Sequence, residues 1–243
     1  MTAKHPNLVD AYWPNGVPVP SLLGVVRPLE NVIKVGANAV LKPAAPPIKR
    51  GLTATWDAVN KGGISVNNNG GGCALNGCSQ ATFFAFFTYT GEGIAAGSAA
   101  HAACCYDGAL PTGNRLTIGT NGLGEANPGG LRAAARNIGT QQAISVPWVP
   151  PVNTLISAAV TVNFIDDAGT HQLFWLQDSS QQKVVKTFAY PLLVPTFDRM
   201  CLFGRGDGGE TLAGTVEQVF LCNAILPDAE IFSVLQNPSQ WLN

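Results

Sequence analysis

The chain has 243 residues, of which 46% are hydrophobic and 12% are charged, against an ordinary charged share of roughly 25%. Its net charge of −1 gives no general reason to expect a nucleic acid or an anionic membrane as a partner. No segment reaches the ~18 consecutive apolar residues of a membrane span, and the amino terminus lacks the apolar stretch of a signal peptide, so we expect a soluble protein made in the cytosol.

The first fifty residues have the composition of an extended arm. They hold eight of the 17 prolines, and each proline removes a backbone donor and biases the preceding residue toward extended geometry, so we expect neither a helix nor a central strand here. An arm of residues 1–50 has no core of its own and gains order by lying on its own sandwich, a neighbouring subunit or a larger assembly. Its apolar patches are suited to anchoring, and we predict Tyr12 and Trp13 as partner contacts.

From residue 51 onward, short β-branched or aromatic runs alternate with Gly and Asn, which predicts many short antiparallel strands in one domain over residues 51–243. In the strongest run, Ala81–Tyr89, both faces are aromatic, as expected for a strand buried between two layers. Between Ile165 and Gln172, the sequence Asp-Asp-Ala-Gly predicts the turn of a hairpin. The remaining predicted strands are Arg115–Ile118, Ala158–Ile165, Gln172–Leu176, Lys183–Phe188, Arg199–Phe203 and Gly214–Leu221.

One helix is predicted, over Asp228–Gln236. Apolar residues recur there at three-to-four spacing, and two acids lie in the first turn, where the helix dipole favours them. Pro227 suits an early helix position, and Asn237-Pro238 ends the helix.

The last forty residues carry a recognisable order of elements. A Gly-containing turn at 202–205, a strand with Gly and alternating apolar residues at 214–221, the short helix, and a terminal Asn-Pro followed by Trp241 stand in succession. This order resembles the closing part of the concanavalin A-like lectin/glucanase superfamily, in the laminin-G-like form found in bacterial and tailed-phage proteins. The resemblance implies an all-β, concanavalin A-like jelly-roll sandwich that carries the extended N-terminal arm and the short C-terminal helix. Pro227 departs from the family, whose members have Ser or Thr there as part of a capping box.

The residues give little support to catalysis or to a metal. Glycosidases on this scaffold resemble one another in a Glu-x-Asp-x-x-Glu pattern, which this chain lacks, and Glu217 is the sole acid within a predicted strand. The three histidines lie apart from any nucleophile motif, with His101 in a small-residue loop, and the six cysteines lack zinc-ligand spacing. We therefore predict no enzyme, no cofactor and no metal. Calcium at Asp166, Asp167 or Asp207 is the alternative that the superfamily allows.

Aromatic side chains are the candidates for contact with a sugar or a subunit. Trp148 lies in the proline-rich loop Val146–Pro151, whose prolines hold it in an exposed type of segment. His171 and Trp175 lie at the predicted hairpin, although packing in the core explains Trp175 equally well. We predict Trp148, His171 and Trp175 as ligand or partner contacts.

The resemblance, the missing export signal, the charge-poor body and the arm together predict a structural protein of a tailed-phage virion, assembled in the host cytoplasm. The arm would dock on other virion proteins of the capsid or the tail, the lectin-like sandwich would face outward, and the copies would form a homo-oligomer such as a trimer. The alternative is a lectin module that binds surface glycans for adhesion, and the third hypothesis is a glycoside hydrolase. Neither nucleic acid nor membrane is an expected partner.

Overall fold

A computed structural model describes residues 73, 75–91, 99–107, 113–165, 170–188, 193–197, 199–202, 204, 210 and 212–238, without the side chains of residues 199 and 215. It describes residues 8–12, 26–27, 32–35, 39–40, 52–54 and 63–66 by their backbone. The elements in chain order are β1 (Leu8–Tyr12), β2 (Val26–Arg27), β3 (Val32–Val35), β4 (Ala39–Val40), β5 (Leu52–Ala54), β6 (Gly63–Val66), β7 (Gln80–Tyr89), β8 (Ala99–Tyr106), β9 (Arg115–Asn121), β10 (Leu131–Asn137), β11 (Thr140–Ser145), β12 (Ile156–Asn163), β13 (Thr170–Gln177), β14 (Ser180–Thr187), β15 (Arg199–Leu202), β16 (Gly214–Cys222) and α1 (Asp228–Gln236).

The strands form two sheets. In the first sheet seven strands follow the order β14-β13-β12-β7-β16-β1-β2, while β5 pairs with β16 and β4 pairs with β5. The second sheet has the order β11-β10-β9-β8-β15-β6-β3. All described pairs are antiparallel except β1 with β2. Two such sheets, each with one apolar face turned to the other, make the β-sandwich that the sequence predicts.

Part of the predicted arm adds strands to the chain's own sandwich. Strand β1 lies between β16 and β2, and β3 pairs with β6 in the second sheet. The expectation that the first fifty residues hold no central strand is therefore wrong for residues 8–12. This segment contains no proline, so its backbone donors are available to the ladder. The boundary at residue 50 between arm and domain stays a prediction.

The main core fills the space between the two sheets. Strand β7 contributes side chains to this core from one face and to a second apolar cluster from its other face. Phe83, Phe87 and Tyr89 point into the layer between the sheets, whereas Phe84 and Phe86 belong to a second apolar cluster on the outer face of the first sheet. The prediction that both faces of this strand are buried is confirmed. A strand of this kind needs a covering layer on each side.

The helix α1 supplies the covering layer on the outer side. Its residues Ile231, Phe232, Val234 and Leu235 pack with the outward side chains of β7, β12, β13 and β16 to form the helix-covered cluster. No side chain caps the amino terminus of the helix. The carbonyl of Pro227 instead accepts hydrogen bonds from the backbone N–H groups of Glu230 and Ile231, each at 3.0 Å. The predicted helix is confirmed, and backbone geometry replaces the missing capping box.

Strands β8, β10 and β11 are not predicted by the sequence patterns, and neither are the short strands β1, β2, β3, β4 and β5. Strands β8 and β10 are rich in Ala, which has a low β propensity, yet β8 is buried along its whole length. His101 therefore lies in a strand, and its assignment to a loop is wrong. The hairpin of β12 and β13 is confirmed by their antiparallel register, from Ala158 opposite Trp175 to Val162 opposite His171.

Candidate functional site

The outer face of the second sheet carries a row of polar side chains. In β10, Ala133 and Ala135 point into the core between the sheets, so Arg132 and Arg136 point outward. The register places Arg136 opposite Arg115 of β9 on one side and opposite Gln141 of β11 on the other. Three neighbouring strands thus bring two guanidinium groups and one amide into a single line across the sheet.

A carboxylate and an imidazole complete this group, which we call the outer polar cluster: His101, Arg115, Arg136, Gln141 and Glu210. The Oε2 atom of Glu210 accepts hydrogen bonds from His101 Nε2 at 2.7 Å and from Arg115 Nη1 at 3.2 Å. Gln141 Oε1 accepts hydrogen bonds from Arg136 Nη2 at 2.8 Å and from Arg115 Nη2. Arg115 therefore joins the carboxylate end of the cluster to the amide end.

The backbone fixes His101 and Glu210 to each other. The N–H group of His101 donates to the carbonyl of Glu210 at 2.8 Å. A register shift in β8 between His101 and Ala103 lies opposite Gly119 of β9. A Cβ atom on Gly119 would stand 2.0 Å from the carbonyl oxygen of Ala100, so the two strands approach this closely because glycine has no side chain. The bulge and the glycine together set the position of the imidazole.

Burial divides the outer polar cluster into a deep part and an accessible part. His101 and Arg115 are buried, whereas Arg136, Gln141 and Glu210 are partly exposed. The Nε atom of Arg115 is buried and has no hydrogen-bond partner among the described residues. The charged groups of the cluster are the Arg115 guanidinium, which contacts the carboxylate of Glu210, and the Arg136 guanidinium, which contacts the amide of Gln141. Such a group can hold a further anion or a row of hydroxyl acceptors.

A second ion pair continues the polar row along β10. Arg132 Nη1 lies 3.2 Å from Glu125 Oε1, and the side chain of Arg132 is 7% exposed. On the strand opposite, the hydroxyl of Ser145 donates to Asn121 Oδ1 at 2.8 Å. These contacts anchor the loop before β10 and extend the polar surface beyond Arg136.

The structure brings two of the predicted contact residues together. The rings of Trp148 and Trp175 stack with centroids 6.4 Å apart and an interplanar angle of 17°. Trp175 belongs to the core between the sheets and Trp148 packs against that core while staying partly exposed. The loop that carries Trp148 also exposes Val149 and Val152, at 46% and 49%. The pair offers an apolar surface at one end of the sandwich. This surface contrasts with the charged groups of the outer polar cluster.

His171 lies elsewhere. Its ring is fully buried, packs 5.8 Å from the ring of Phe188, and has no hydrogen-bond partner at either nitrogen among the described residues. Burial, together with the positive charge of Lys186 on the facing strand, lowers the pKa of His171 to about 3. A ring in this position is neutral at physiological pH and lines no exposed surface. Its role as a ligand contact stays a prediction that the geometry does not favour.

The side chains of the other predicted residues lie outside the part of the chain that the structure describes. Tyr12 is the last residue of β1 and is described by its backbone, and Trp13 lies outside the described residues. The acids named for calcium, Asp166, Asp167 and Asp207, also lie outside them. Among the described residues, no three His, Cys, Asp or Glu side chains stand together as a metal site would require.

The outer polar cluster is not predicted by the sequence patterns. The signal for it is the alternation in Leu131-Arg-Ala-Ala-Ala-Arg-Asn137, where two arginines are spaced four residues apart on one side of a strand. Alanine obscures this signal, because a run of three alanines favours a helix as much as a strand. Within the described residues, no helix is long and apolar enough to cross a membrane.

Solved structures with this fold include proteins that bind sugars or proteins. The CBM40 domain of the Ruminococcus gnavus IT-sialidase, bound to α2,3-sialyllactose, has a TM-score of 0.55 at 15% identity, covering 77% of this chain and 96% of that one. The binding domain of botulinum neurotoxin DC, in complex with rat synaptotagmin II, has a TM-score of 0.50 at 11% identity, covering 85% of this chain and 47% of that one. Leech intramolecular trans-sialidase has a TM-score of 0.50 at 13% identity, covering 85% of this chain and 27% of that one.

No protein-family model matches the sequence, and no curated protein is similar to it. At identities of 11% to 15%, the likeness to solved structures establishes the fold. The chain is a jelly-roll β-sandwich with a short C-terminal helix, which confirms the fold class expected from the resemblance. The laminin-G-like form and the tailed-phage origin stay predictions.

Proposed function

We propose that the chain is a glycan-binding module and that its outer polar cluster binds an acidic sugar. The observation that carries the proposal is the row of Arg115, Arg136 and Gln141 across three adjacent strands of a lectin-like sandwich. A sugar-binding site needs a few convergent polar groups on a rigid sheet, and this row supplies them.

The charges of the cluster suit a carboxylate. A guanidinium group presents its N–H donors in a planar fork that matches both oxygens of a carboxylate, and Arg136 is the partly exposed guanidinium of the row. Gln141 lies beside it and can exchange hydrogen bonds with sugar hydroxyls. Arg115 stands behind them, already held by Glu210, and adds positive charge without being freely accessible.

The fold agrees with this proposal. The CBM40 domain of the same fold was solved with sialyllactose, which is an acidic oligosaccharide. Because a likeness at 15% identity carries no residue roles, the roles of Arg115, Arg136 and Gln141 depend on the contacts that these residues make in this chain.

A neutral sugar stacked on Trp148 is the competing form of the same function. A partly exposed indole, anchored on its inner side by Trp175, is the surface on which the C–H face of a pyranose packs. The two forms differ in ligand charge, so a single experiment separates them.

The test measures binding of 3′-sialyllactose and lactose to the full chain by calorimetry or on a glycan array. We expect sialyllactose to bind more tightly, and Arg136→Ala to weaken its binding by at least tenfold, about 1.4 kcal/mol. Arg136→Lys keeps the charge but loses the fork, so we expect an intermediate affinity. Lys183→Ala removes a cation from the first sheet and serves as the matched control with unchanged affinity.

Two results would count against the acidic-sugar site. Equal affinity for both sugars, with loss of binding in Trp148→Ala but not in Arg136→Ala, would transfer the site to the Trp148 surface. Absence of binding to any glycan on the array would remove the glycan-binding proposal altogether.

The virion role and the location in a virion remain proposals from the sequence, since fold likeness says nothing of assembly. They predict that a chain without residues 1–50 fails to enter particles. That the chain is no enzyme likewise stays a prediction, and an assay for release of sugar from sialyllactose and β-glucans would test it.

A further inference from the structure

Two cysteines stand directly opposite each other on the outer face of the second sheet. Cys104 of β8 is the register partner of Cys201 of β15. Both are 0% exposed, and with Tyr106 they form a small cluster separate from the core between the sheets. The hydroxyl of Tyr106 lies 3.3 Å from the sulfur of Cys201. The chain therefore holds two thiols side by side on adjacent strands, and Tyr106 beside them is the register partner of Arg115 in the outer polar cluster.

Opposite positions of an antiparallel pair suit a disulfide. Such residues have Cα atoms about 4.5–5.5 Å apart and Cβ atoms about 4.5–5.5 Å apart on the same face. A disulfide takes Cα separations of about 4.4–6.8 Å and Cβ separations of about 3.5–4.5 Å. Directly opposite residues therefore fall within the Cα range of a disulfide, and a small approach of their Cβ atoms is enough.

We propose that Cys104 and Cys201 form a redox pair that closes to a cross-strand disulfide. All six cysteines are in the thiol form in this structure. With a small disulfide such as oxidised glutathione as the oxidant, the thiolate of one cysteine attacks the glutathione disulfide and releases one reduced glutathione. The second thiolate then attacks the mixed disulfide, forms the Cys104–Cys201 bond and releases the second reduced glutathione. Two thiol protons are lost and recovered on the two glutathione thiols.

The neighbouring cysteines are poorer partners. Cys105 follows Cys104 but points into the core between the sheets, opposite Met200. Cys222 belongs to the helix-covered cluster on the other sheet. Cys73 and Cys78 lie close enough to interact, since the charge of Cys73 contributes, after burial, to raising the pKa of Cys78. A bond between Cys73 and Cys78 is the alternative outcome that the same peptide map would detect.

The bond would tie β15 to β8 over a long closed loop. Residues 104 and 201 are far apart in sequence, and the entropy removed from the unfolded chain by a cross-link grows with loop length. His101, three residues before Cys104, holds Glu210 through its backbone and its ring. Oxidation would therefore stabilise β8, the strand that carries His101 of the outer polar cluster.

The experiment measures the equilibrium between the two thiols and the disulfide. Oxidation of the folded protein would be slow, because Cys104 and Cys201 are buried. The full chain is reduced, unfolded and refolded in a series of reduced and oxidised glutathione mixtures. It is then unfolded again in denaturant that contains N-ethylmaleimide, so that buried thiols are also blocked, and mapped by peptide mass spectrometry. We expect a peptide cross-linked between Cys104 and Cys201 to accumulate as the mixture becomes more oxidising. Its formation should raise the Tm by on the order of 10 °C.

Variants separate this pair from the other thiols. Cys104→Ala should abolish the cross-link and the rise in Tm, whereas Cys105→Ala, one residue along the same strand, should keep both. Full labelling of Cys104 and Cys201 in the most oxidising mixture would overturn the proposal, as would a map in which either one pairs with another cysteine. The wild-type map is decisive even if a variant fails to fold, and it is independent of whether the chain binds a glycan.

Discussion

The two sheets of this sandwich have outer faces built on opposite principles. On the first sheet, Phe84, Phe86 and Phe220 point outward into edge-to-face contacts, with centroids 6.2 Å and 5.7 Å from Phe220, and the chain's own helix covers them. On the second sheet, the outward positions of β9 and β10 hold Arg115 and Arg136, which both donate hydrogen bonds to Gln141. Outward side chains thus form an apolar layer under the helix on the first sheet and a polar surface on the second sheet.

This difference indicates how each face contributes to the protein. An apolar cluster gains stability from every buried methylene and tolerates apolar substitutions that conserve its volume, so it suits a permanent contact with α1. A buried polar group costs free energy whenever a partner is lost, so its geometry is specified closely. Such a face suits recognition, and three predictions test the contrast.

The largest effect is expected at the helix-covered cluster. Phe220 is fully buried between Phe84 and Phe86, and Phe220→Ala should lower the free energy of unfolding by about 3–5 kcal/mol through lost burial and the cavity left behind. Denaturant unfolding measures the change. Gln236→Ala, at the exposed end of α1, is the control and should change stability by less than about 0.5 kcal/mol. A small effect at Phe220 would mean that the helix does not depend on this layer.

A smaller effect is expected at the outer polar cluster. Glu210→Gln keeps the size of the side chain but removes the charge that Arg115 faces, so we expect a loss of about 2 kcal/mol. Double-mutant cycles with Arg115→Gln would assign that loss to the pair.

The matched comparison is the ion pair of Lys183 and Asp228 on the first sheet. Lys183 Nζ lies 2.7 Å from Asp228 Oδ2, closer than Arg115 Nη1 lies to Glu210 Oε2. The side chains of Lys183 and Asp228 are, however, 28% and 55% exposed. Solvent screening should limit its coupling energy to less than about 1 kcal/mol. Equal coupling energies in the two cycles would contradict the claim that burial separates the two faces.

The third prediction concerns the layer between the two sheets. It is a slope of unfolding free energy against pH, and its effect on stability is the smallest of the three near neutral pH. Folded His171 has a pKa of about 3, against 6.5 in the unfolded chain, so between these values the unfolded state holds a proton that the folded state lacks. Stability therefore falls as the pH falls from 6.5 toward 3, by up to about 1.4 kcal/mol per pH unit.

Since carboxylates titrate in the same range, the quantity to measure is the slope of unfolding free energy against pH in wild type minus that in His171→Leu. The difference in slope should be close to zero above about pH 7.5, half developed at pH 6.5, full between about pH 5.5 and 4, and close to zero again below about pH 2. Parallel curves for the two proteins would show that His171 is not held neutral in the folded state.

Several parts of the molecule could be predicted because their cause is local. The two-sided apolar run of β7, the hairpin of β12 and β13, and α1 after Pro227 each follow from spacing and turn residues within a short window. The strands β8 and β10 could not, because their alanines say little about strand or helix until the neighbouring strands bury them. For the same reason the sequence places His101 in a loop and gives no sign that the arginines of β10 share one face.

What the sequence by itself determined is the all-β class: short apolar runs and dispersed glycines indicate a sandwich or a barrel, and the resemblance of the closing segment favours the sandwich. What only the tertiary structure decided is which residues meet. Arg115, Gln141 and Glu210 are distant in sequence, and so are Cys104 and Cys201, yet strand register places the members of each set together. Register depends on how whole faces bury against each other, and this is a property of the assembled sheets rather than of any segment.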